Sequence, residues 1–149
     1  MYARSDDDES KALKELRRID HLLYVTLKYT RTVDVIRTII SKYLNTLNYR
    51  IEDHYVHLFE AGKIKEVPKA PLFRIKNLET LYKKDKIVKD LVDFYMMLRE
   101  TFTAEYRSKE EYRKNVALVT KEREVNIAIL KEYVIVVKEF VEHVDTLEK

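Results

Sequence analysis

The segment NYRIEDHYVHLFE, residues 48–60, contains the side chains in this chain that are best suited to acid–base chemistry. On a helix, Arg50 lies about one turn before His54, because an α-helix repeats about every 3.6 residues. An arginine can bind a phosphate group while a neighbouring histidine moves a proton. Arg50 and His54 are therefore the candidate catalytic residues.

The same histidine also fits a structural role. His54 falls on the apolar stripe of the helix with Leu47, Ile51 and Leu58, and Arg50 lies at the edge of that stripe. A buried imidazole needs a hydrogen-bond partner, and burial shifts its pKa. Two alternatives stay open: chemistry at Arg50 and His54, or a histidine that packs in a core or an interface.

A metal site is the weaker alternative. His54 and His57 are three residues apart and Asp53 and His57 four apart, so a helix can present them together. The Glu that di-iron bundles place three residues before a ligating histidine is missing at every histidine, and the chain has no cysteine. The single glycine also excludes a Walker loop and a dinucleotide-binding fingerprint. We expect no metal and no cofactor.

A basic segment follows the helix that contains the two histidines. Residues 62–86 contain eight Lys or Arg against three acidic residues, an excess that suits contact with phosphates. Tyr49 and Tyr55 flank Arg50 and His54, and aromatic rings can stack on bases. The alternatives are a solvated loop and tyrosines that pack in the core. The predicted nucleic-acid-binding residues are Lys63, Lys65, Lys69, Arg74, Lys76, Tyr49 and Tyr55.

The composition favours long helices. The chain of 149 residues has one glycine and two prolines, and its apolar residues recur at spacings of three and four. We therefore predict an all-α fold, with residues 1–149 forming one antiparallel helical bundle of four main helices plus one or two short helices. The acidic residues 1–9 are expected to be a frayed end.

Several residues mark the ends of the predicted helices. Ser10 is a capping type and precedes an apolar stripe that starts at Leu13. Gly62 suits the end of the second helix, and Asp85 begins a later long helix. The turn between the first two helices is expected within residues 29–32, where no glycine or proline marks it.

The region after that later long helix is less clearly marked. Ser108 and Glu111 have the spacing of a capping box, which predicts another helix start. For residues 116–127 a short pair of strands and a helical or irregular conformation are both open. The second is favoured, because two isolated strands are marginally stable. The last helix is expected from about Glu124 to about Glu142.

The apolar runs are too short for a membrane span. The longest candidate covers residues 133–137, and the acidic first residues do not resemble a signal peptide. We predict a cytoplasmic protein with no membrane contact. Its frequent Lys and Glu with little glycine are typical of thermophile proteins.

The stretches FYMMLRETFTAEYRSKEEYRKNV and EYVIVVKEFVEHV, with an Arg and a His on an inner helix, resemble small archaeal HEPN-type domains. The resemblance covers most of the chain and implies a helical bundle that pairs as a homodimer. It also implies a metal-independent RNase or a nucleotide-binding domain, often beside a nucleotidyltransferase in toxin–antitoxin modules. Active members carry R-x4-6-H, whereas Arg50-x3-His54 and Arg17-x3-His21 are both one residue shorter.

Three functional hypotheses follow. In the first, an HEPN-like domain cleaves or binds RNA, with His54 as the acid–base group, Arg50 stabilising charge at phosphorus and residues 63–86 holding the RNA backbone. In the second, a non-catalytic interaction or scaffolding bundle recognises a partner protein, and His54 only packs. In the third, a regulatory bundle binds a nucleotide or another small anion.

Overall fold

The computed structural model describes residues 10–149 and shows a mainly helical chain with a small sheet. The predicted frayed end, residues 1–9, lies outside the described residues. The elements in chain order are α1 (Lys11–His21), a π-helical turn (Leu22–Thr26), α2 (Leu27–Tyr29), α3 (Val33–Glu60), α4 (Pro71–Leu81), α5 (Lys86–Thr103), β1 (Arg107–Lys109), β2 (Ala117–Val119), β3 (Glu124–Asn126) and α6 (Ile127–Leu147).

The first helix begins where the sequence predicts. The Ser10 hydroxyl accepts a hydrogen bond from the Leu13 N–H at 3.2 Å, which satisfies one of the free donors of the first turn. Leu13 itself is 47% exposed, although it was predicted on the buried stripe. Ala12 takes the buried position instead, and one residue later the helix has turned by about 100°.

The long helix α3 runs through the centre of the fold. Thr32 caps its start, as its hydroxyl accepts from the Val35 N–H at 3.2 Å, and the turn before it lies where predicted. Its end also agrees with the prediction, because α3 stops at Glu60 and Gly62 adopts a φ of +74°. Only glycine takes that conformation at low cost.

The predicted all-α fold is confirmed in part, because the described chain is mainly helical but not purely all-α. Strands β1, β2 and β3 form a three-stranded antiparallel sheet in that order. In its register Arg107 pairs with Val119, and Leu118 pairs with Val125. The two strands that the sequence disfavoured, β2 and β3, are joined by a third strand, β1. One face of the sheet packs on the core, because Leu118 and Val125 are both buried there, so the sheet is more stable than an isolated pair.

The predicted helix start at Ser108 was wrong for the same reason. Ser108 belongs to β1 and pairs with Leu118. The Glu111 carboxylate instead accepts from the Val33 N–H at 3.2 Å and so caps the start of α3, 78 residues earlier in the chain. A capping residue supplied by a distant loop satisfies the same orphan donor as a local one.

Of the remaining helices, α5 begins at its predicted signal, whereas α6 begins and ends later than predicted. Pro71 opens α4, and the Asp85 carboxylate accepts from the N–H groups of Ile87 and Val88 to open α5. The last helix, α6, starts three residues later than expected, because Glu124 belongs to β3 and Asn126 is the cap. One hydrophobic core includes side chains from these helices and from the sheet. No helix within residues 10–149 is both long enough and apolar enough to cross a membrane.

Candidate functional site

The imidazole of His54 is fully buried and has a partner on each ring nitrogen. Its Nδ1 lies 2.8 Å from Glu148 Oε2, and its Nε2 lies 2.6 Å from the Tyr82 hydroxyl. The ring is 0% exposed. Three separate elements meet here: α3 supplies the histidine, the turn after α4 supplies the tyrosine, and the residue after α6 supplies the carboxylate. His54 therefore lies on the inner face of α3, as its position in the apolar stripe predicts.

Arg50 binds the same carboxylate from one helical turn away. Its Nη2 lies 2.7 Å from Glu148 Oε1, and its Nε donates to Asp145 Oδ1 at 3.0 Å. The arginine side chain is 12% exposed, whereas Asp145 is 57% exposed. The two oxygens of Glu148 are thus divided between Arg50 and His54, so the structure brings the two candidate catalytic residues together on one anion.

The charges in this cluster are defined by burial and by these bonds. Burial lowers the pKa of His54 more than the neighbouring Glu148 raises it, so the imidazole is neutral near pH 7. Burial alone would raise the pKa of Glu148, but hydrogen bonds from Arg50 and His54 outweigh it and lower the pKa of that carboxyl. A neutral imidazole beside a carboxylate carries its proton on Nδ1, and Nε2 then accepts from Tyr82.

The cluster has the order hydroxyl, imidazole and carboxylate. In that order an imidazole can take a proton from the hydroxyl while the carboxylate stabilises the charge that forms. Burial, with Glu148 and Asp85 nearby, raises the pKa of Tyr82, so the phenol keeps its proton near neutral pH. Tyr82 and Glu148 are both partly exposed, and Tyr82 lines an open groove of about 920 Å³ beside Lys83 and Lys84.

The neighbouring histidine, His57, contacts the His54 ring but does not complete a metal site with it. His57 stacks on His54 with ring centroids 6.3 Å apart. Within residues 10–149, no group of three or more His, Asp or Glu side chains is arranged to hold a metal ion.

The predicted nucleic-acid-binding residues divide into two groups. The four lysines of the group are exposed along the loop after α3 and on α4: Lys63, Lys65, Lys69 and Lys76. Arg74 is buried, donates to the Pro68 carbonyl and pairs with Glu52 at 3.3 Å. The Tyr55 ring is 1% exposed, and its hydroxyl donates to the Arg74 carbonyl at 2.7 Å. Arg74 and Tyr55 thus hold the loop against α3, while the four lysines face solvent.

Tyr49 lies elsewhere, on the side of α3 that faces α1. It is partly buried, and the Lys11 ammonium lies 5.7 Å from its ring centroid. This places the one accessible tyrosine of the predicted set beside a different basic surface.

That surface is a groove between α1 and α3, which sequence reasoning missed. It encloses about 530 Å³ and is lined by Lys14, Arg17, Arg18, His21, Leu22 and Lys42. We call these residues the α1 groove. A π-helical turn starts at its Leu22 end, and such turns are frequent at functional sites. The spacing of Arg17 and His21 on α1 was the available signal, but Lys42 comes from α3 and only the packing of the two helices adds it.

A buried carboxylate organises the α1 groove. Glu15 is 3% exposed and lies 2.6 Å from Arg18 and 3.6 Å from Lys42. Burial opposes its ionisation, but the bonds from Arg18 and Asn45 and the nearby Lys42 lower its pKa. Glu15 therefore holds two cations at the groove without presenting a carboxylate of its own to solvent.

Comparison of the chain with protein-family models, with curated proteins and with solved structures finds no match, so the residues and geometry described above carry the functional argument.

Proposed function

We propose that this chain is an RNA-binding helical domain and that the α1 groove holds the phosphate backbone of a single strand. The observation that carries the proposal is the lining of the groove: four Lys or Arg and one His, with Glu15, the carboxylate that contacts Arg18 and Lys42, buried beneath them. Such a concentration of positive charge attracts polyanions and releases their counterions on binding.

The basic surface continues along α1 beyond the groove. Lys11, Lys14 and Arg18 recur at spacings of three and four, which places them on one face of the helix. Tyr49 lies at the Lys11 end of that face. Proteins that bind single-stranded nucleic acid usually combine two elements. Lysines contact successive phosphates of the backbone, and a neighbouring aromatic ring stacks on a base. The exposed Lys63 and Lys65 offer a second, separate contact to the backbone.

The test is RNA binding measured by fluorescence anisotropy with a labelled single strand at several salt concentrations. The double variant Lys11→Ala/Lys14→Ala should bind more weakly, and its salt dependence should flatten by about 0.7 per lost phosphate contact. Lys121→Ala, an exposed lysine in the turn between β2 and β3, is the matched control and should bind as the wild type does. Lys63→Ala/Lys65→Ala tests the predicted loop contact separately.

Two results would contradict the proposal. If the wild type binds no RNA, the rival hypothesis of a protein-interaction bundle is favoured. If RNA binding is unchanged in Lys11→Ala/Lys14→Ala and lost in Lys63→Ala/Lys65→Ala, the strand binds at the loop and the α1 groove has another role.

One observation favours metal-independent RNA cleavage as a second candidate. Arg50 and His54 converge on one anion, which is the arrangement that cleavage of a phosphodiester needs. In that reaction the 2′-hydroxyl gives its proton to the Tyr82 hydroxyl, which passes its own proton to His54 Nε2. The 2′-oxygen attacks phosphorus, and the 5′-oxygen leaves and takes a proton from water. Arg50 stabilises the charge on the phosphoryl oxygens.

Cleavage of a mixed RNA pool in EDTA, by the wild type and His54→Ala side by side, tests this candidate. An activity that is present in the wild type and lost in a folded His54→Ala protein supports it. Equal cleavage by both proteins would exclude His54 as the acid–base group. The HEPN-like relationship stays a prediction, since no family model or solved structure matches the chain. The homodimer stays a prediction, since the structure holds one chain.

A further inference from the structure

The Glu148 carboxylate has the surroundings that a bound phosphate would have. Its two oxygens accept from an arginine at 2.7 Å and from a buried imidazole at 2.8 Å. Arg and His side chains in this arrangement bind carboxylates and phosphates alike, since both ligands present paired, negatively charged oxygens. Both donors, Arg50 and His54, belong to α3, whereas the accepting carboxylate belongs to the residue that follows α6. The donor pair is therefore formed within one helix, and a separate segment supplies the anion.

The donor pair is held in place without Glu148. Tyr82 contacts His54 Nε2 at 2.6 Å, which fixes the ring plane and leaves the Nδ1–H pointing at the anion. Asp145 Oδ1 accepts from Arg50 Nε at 3.0 Å and lies 2.8 Å from Nη2, so it holds the guanidinium beside the position of Glu148. Asp145 is 57% exposed, so solvent screens its repulsion of a second anion.

Glu148 is held between Arg50 and His54 by its side chain and not by the helix. Helix α6 ends at Leu147, and the backbone N–H of Glu148 donates to the Asp145 carbonyl at 3.2 Å. Its side chain is 22% exposed, so a rotation of that side chain towards solvent vacates the position between Arg50 and His54. No helical hydrogen bond has to break for this motion.

We propose that Arg50 and His54 form a binding site for the phosphate group of a nucleotide, and that Glu148 occupies this site and is displaced when the phosphate binds. Arg50 and His54 contact the phosphate, whereas Tyr82 and Asp145 position them. The inference rests on the proposed function only for the class of ligand. The site and the α1 groove share no residue, so variants of one leave the other intact.

The experiment compares thermal unfolding of the wild type and Glu148→Ala in chloride and in inorganic phosphate at constant ionic strength. Because Glu148→Ala lacks the internal anion, its thermal stability should depend on phosphate more than that of the wild type. Its Tm should rise by about 5 °C or more once phosphate exceeds its Kd by about 100-fold, and the wild type should rise less. Glu142→Ala, an exposed carboxylate on α6, is the matched control and should respond as the wild type does.

Two further arms identify the site and the source of the phosphate. Arg50→Ala in the Glu148→Ala background should abolish the extra phosphate response, which a general salt effect would not do. Adenosine monophosphate should act at lower concentration than inorganic phosphate if the ligand is a nucleotide, whereas equal potency would restrict the ligand to free phosphate and overturn that part of the proposal.

If Glu148→Ala fails to fold, Glu148→Gln provides the second test. Glu148→Gln keeps the shape of the side chain but places an uncharged amide against Arg50 and His54, and its phosphate response should lie between those of the wild type and Glu148→Ala. Equal responses in all three proteins would overturn the proposal. If RNA binding at the α1 groove is lost in Lys11→Ala/Lys14→Ala while the phosphate response of Glu148→Ala persists, the two proposals are separated.

Discussion

His54 and Glu148 are 94 residues apart in the chain, and their side chains meet at 2.8 Å between Nδ1 and Oε2. The contact joins the middle of the fold, at α3, to the residue that follows α6. Because the imidazole is neutral and fully buried, the hydrogen bond is both the partner that the ring needs and a tie across the bundle.

The His54→Ala substitution is expected to destabilise the fold by about 1–3 kcal/mol, because it leaves the Tyr82 hydroxyl and an oxygen of the partly buried Glu148 carboxylate without their partner. Urea unfolding followed by circular dichroism measures the loss. His21→Ala, at an exposed position on α1, is the matched control and should change stability by less than about 0.5 kcal/mol. A His54→Ala protein as stable as the wild type would contradict a packing role and favour a catalytic one.

The Tyr82→Phe substitution removes only the hydroxyl that donates to His54 Nε2. We expect a loss of about 1–2 kcal/mol, since the buried ring nitrogen is left unpaired while the aromatic packing stays. The control is Tyr29→Phe, at a position that is 85% exposed, and it should be neutral. Nitrogen-15 shifts of the His54 ring, read by NMR, should change in Tyr82→Phe alone. An unchanged His54 spectrum would show that the Tyr82 hydroxyl bond is absent in solution.

The stability of the protein should fall as the pH falls below about 6.5, the ordinary pKa of histidine. The pKa of His54 is lower in the folded state than in the unfolded state, so the unfolded chain binds more protons as the pH falls. Acidification therefore stabilises the unfolded chain relative to the folded protein. Glu148 acts in the same direction, because its folded pKa lies below the ordinary 4.5 and its contribution is lost as the pH falls through that lowered value.

Urea midpoints measured between about pH 8 and pH 4 test this dependence. His54→Gln should remove the part of the decline that begins near 6.5, and His21→Gln should leave it in place. A decline near pH 6.5 that persists unchanged in His54→Gln would exclude His54 as its cause.

The Glu111→Ala substitution should cost about 0.5–2 kcal/mol, as the loss of a helix cap usually does, because the Val33 N–H at the start of α3 loses its acceptor. Hydrogen exchange of the Val33 amide should speed up in this variant. Glu105→Ala removes an exposed carboxylate from the same part of the chain and should leave that amide unchanged. Equal exchange rates in both variants would show that Glu111 does not cap α3.

The sequence by itself determined the helices, because helix formation depends on residues a few positions apart. Apolar spacing of three and four placed α1, α3, α5 and α6, and the capping residues Ser10 and Asp85 marked the starts of α1 and α5 to within a residue. The same spacing put His54 on the buried face of α3, since the position of a side chain around a helix follows from its number alone.

The tertiary structure alone decided what those residues meet. The partners of His54 come from the turn after α4 and from beyond α6, and the α1 groove is completed by Lys42 of α3. Strands of three residues carry no period to recognise, and they are stable here because the sheet has three members and a buried face. Contacts between distant segments depend on how the helices pack against one another, and local patterns in the sequence do not encode that arrangement.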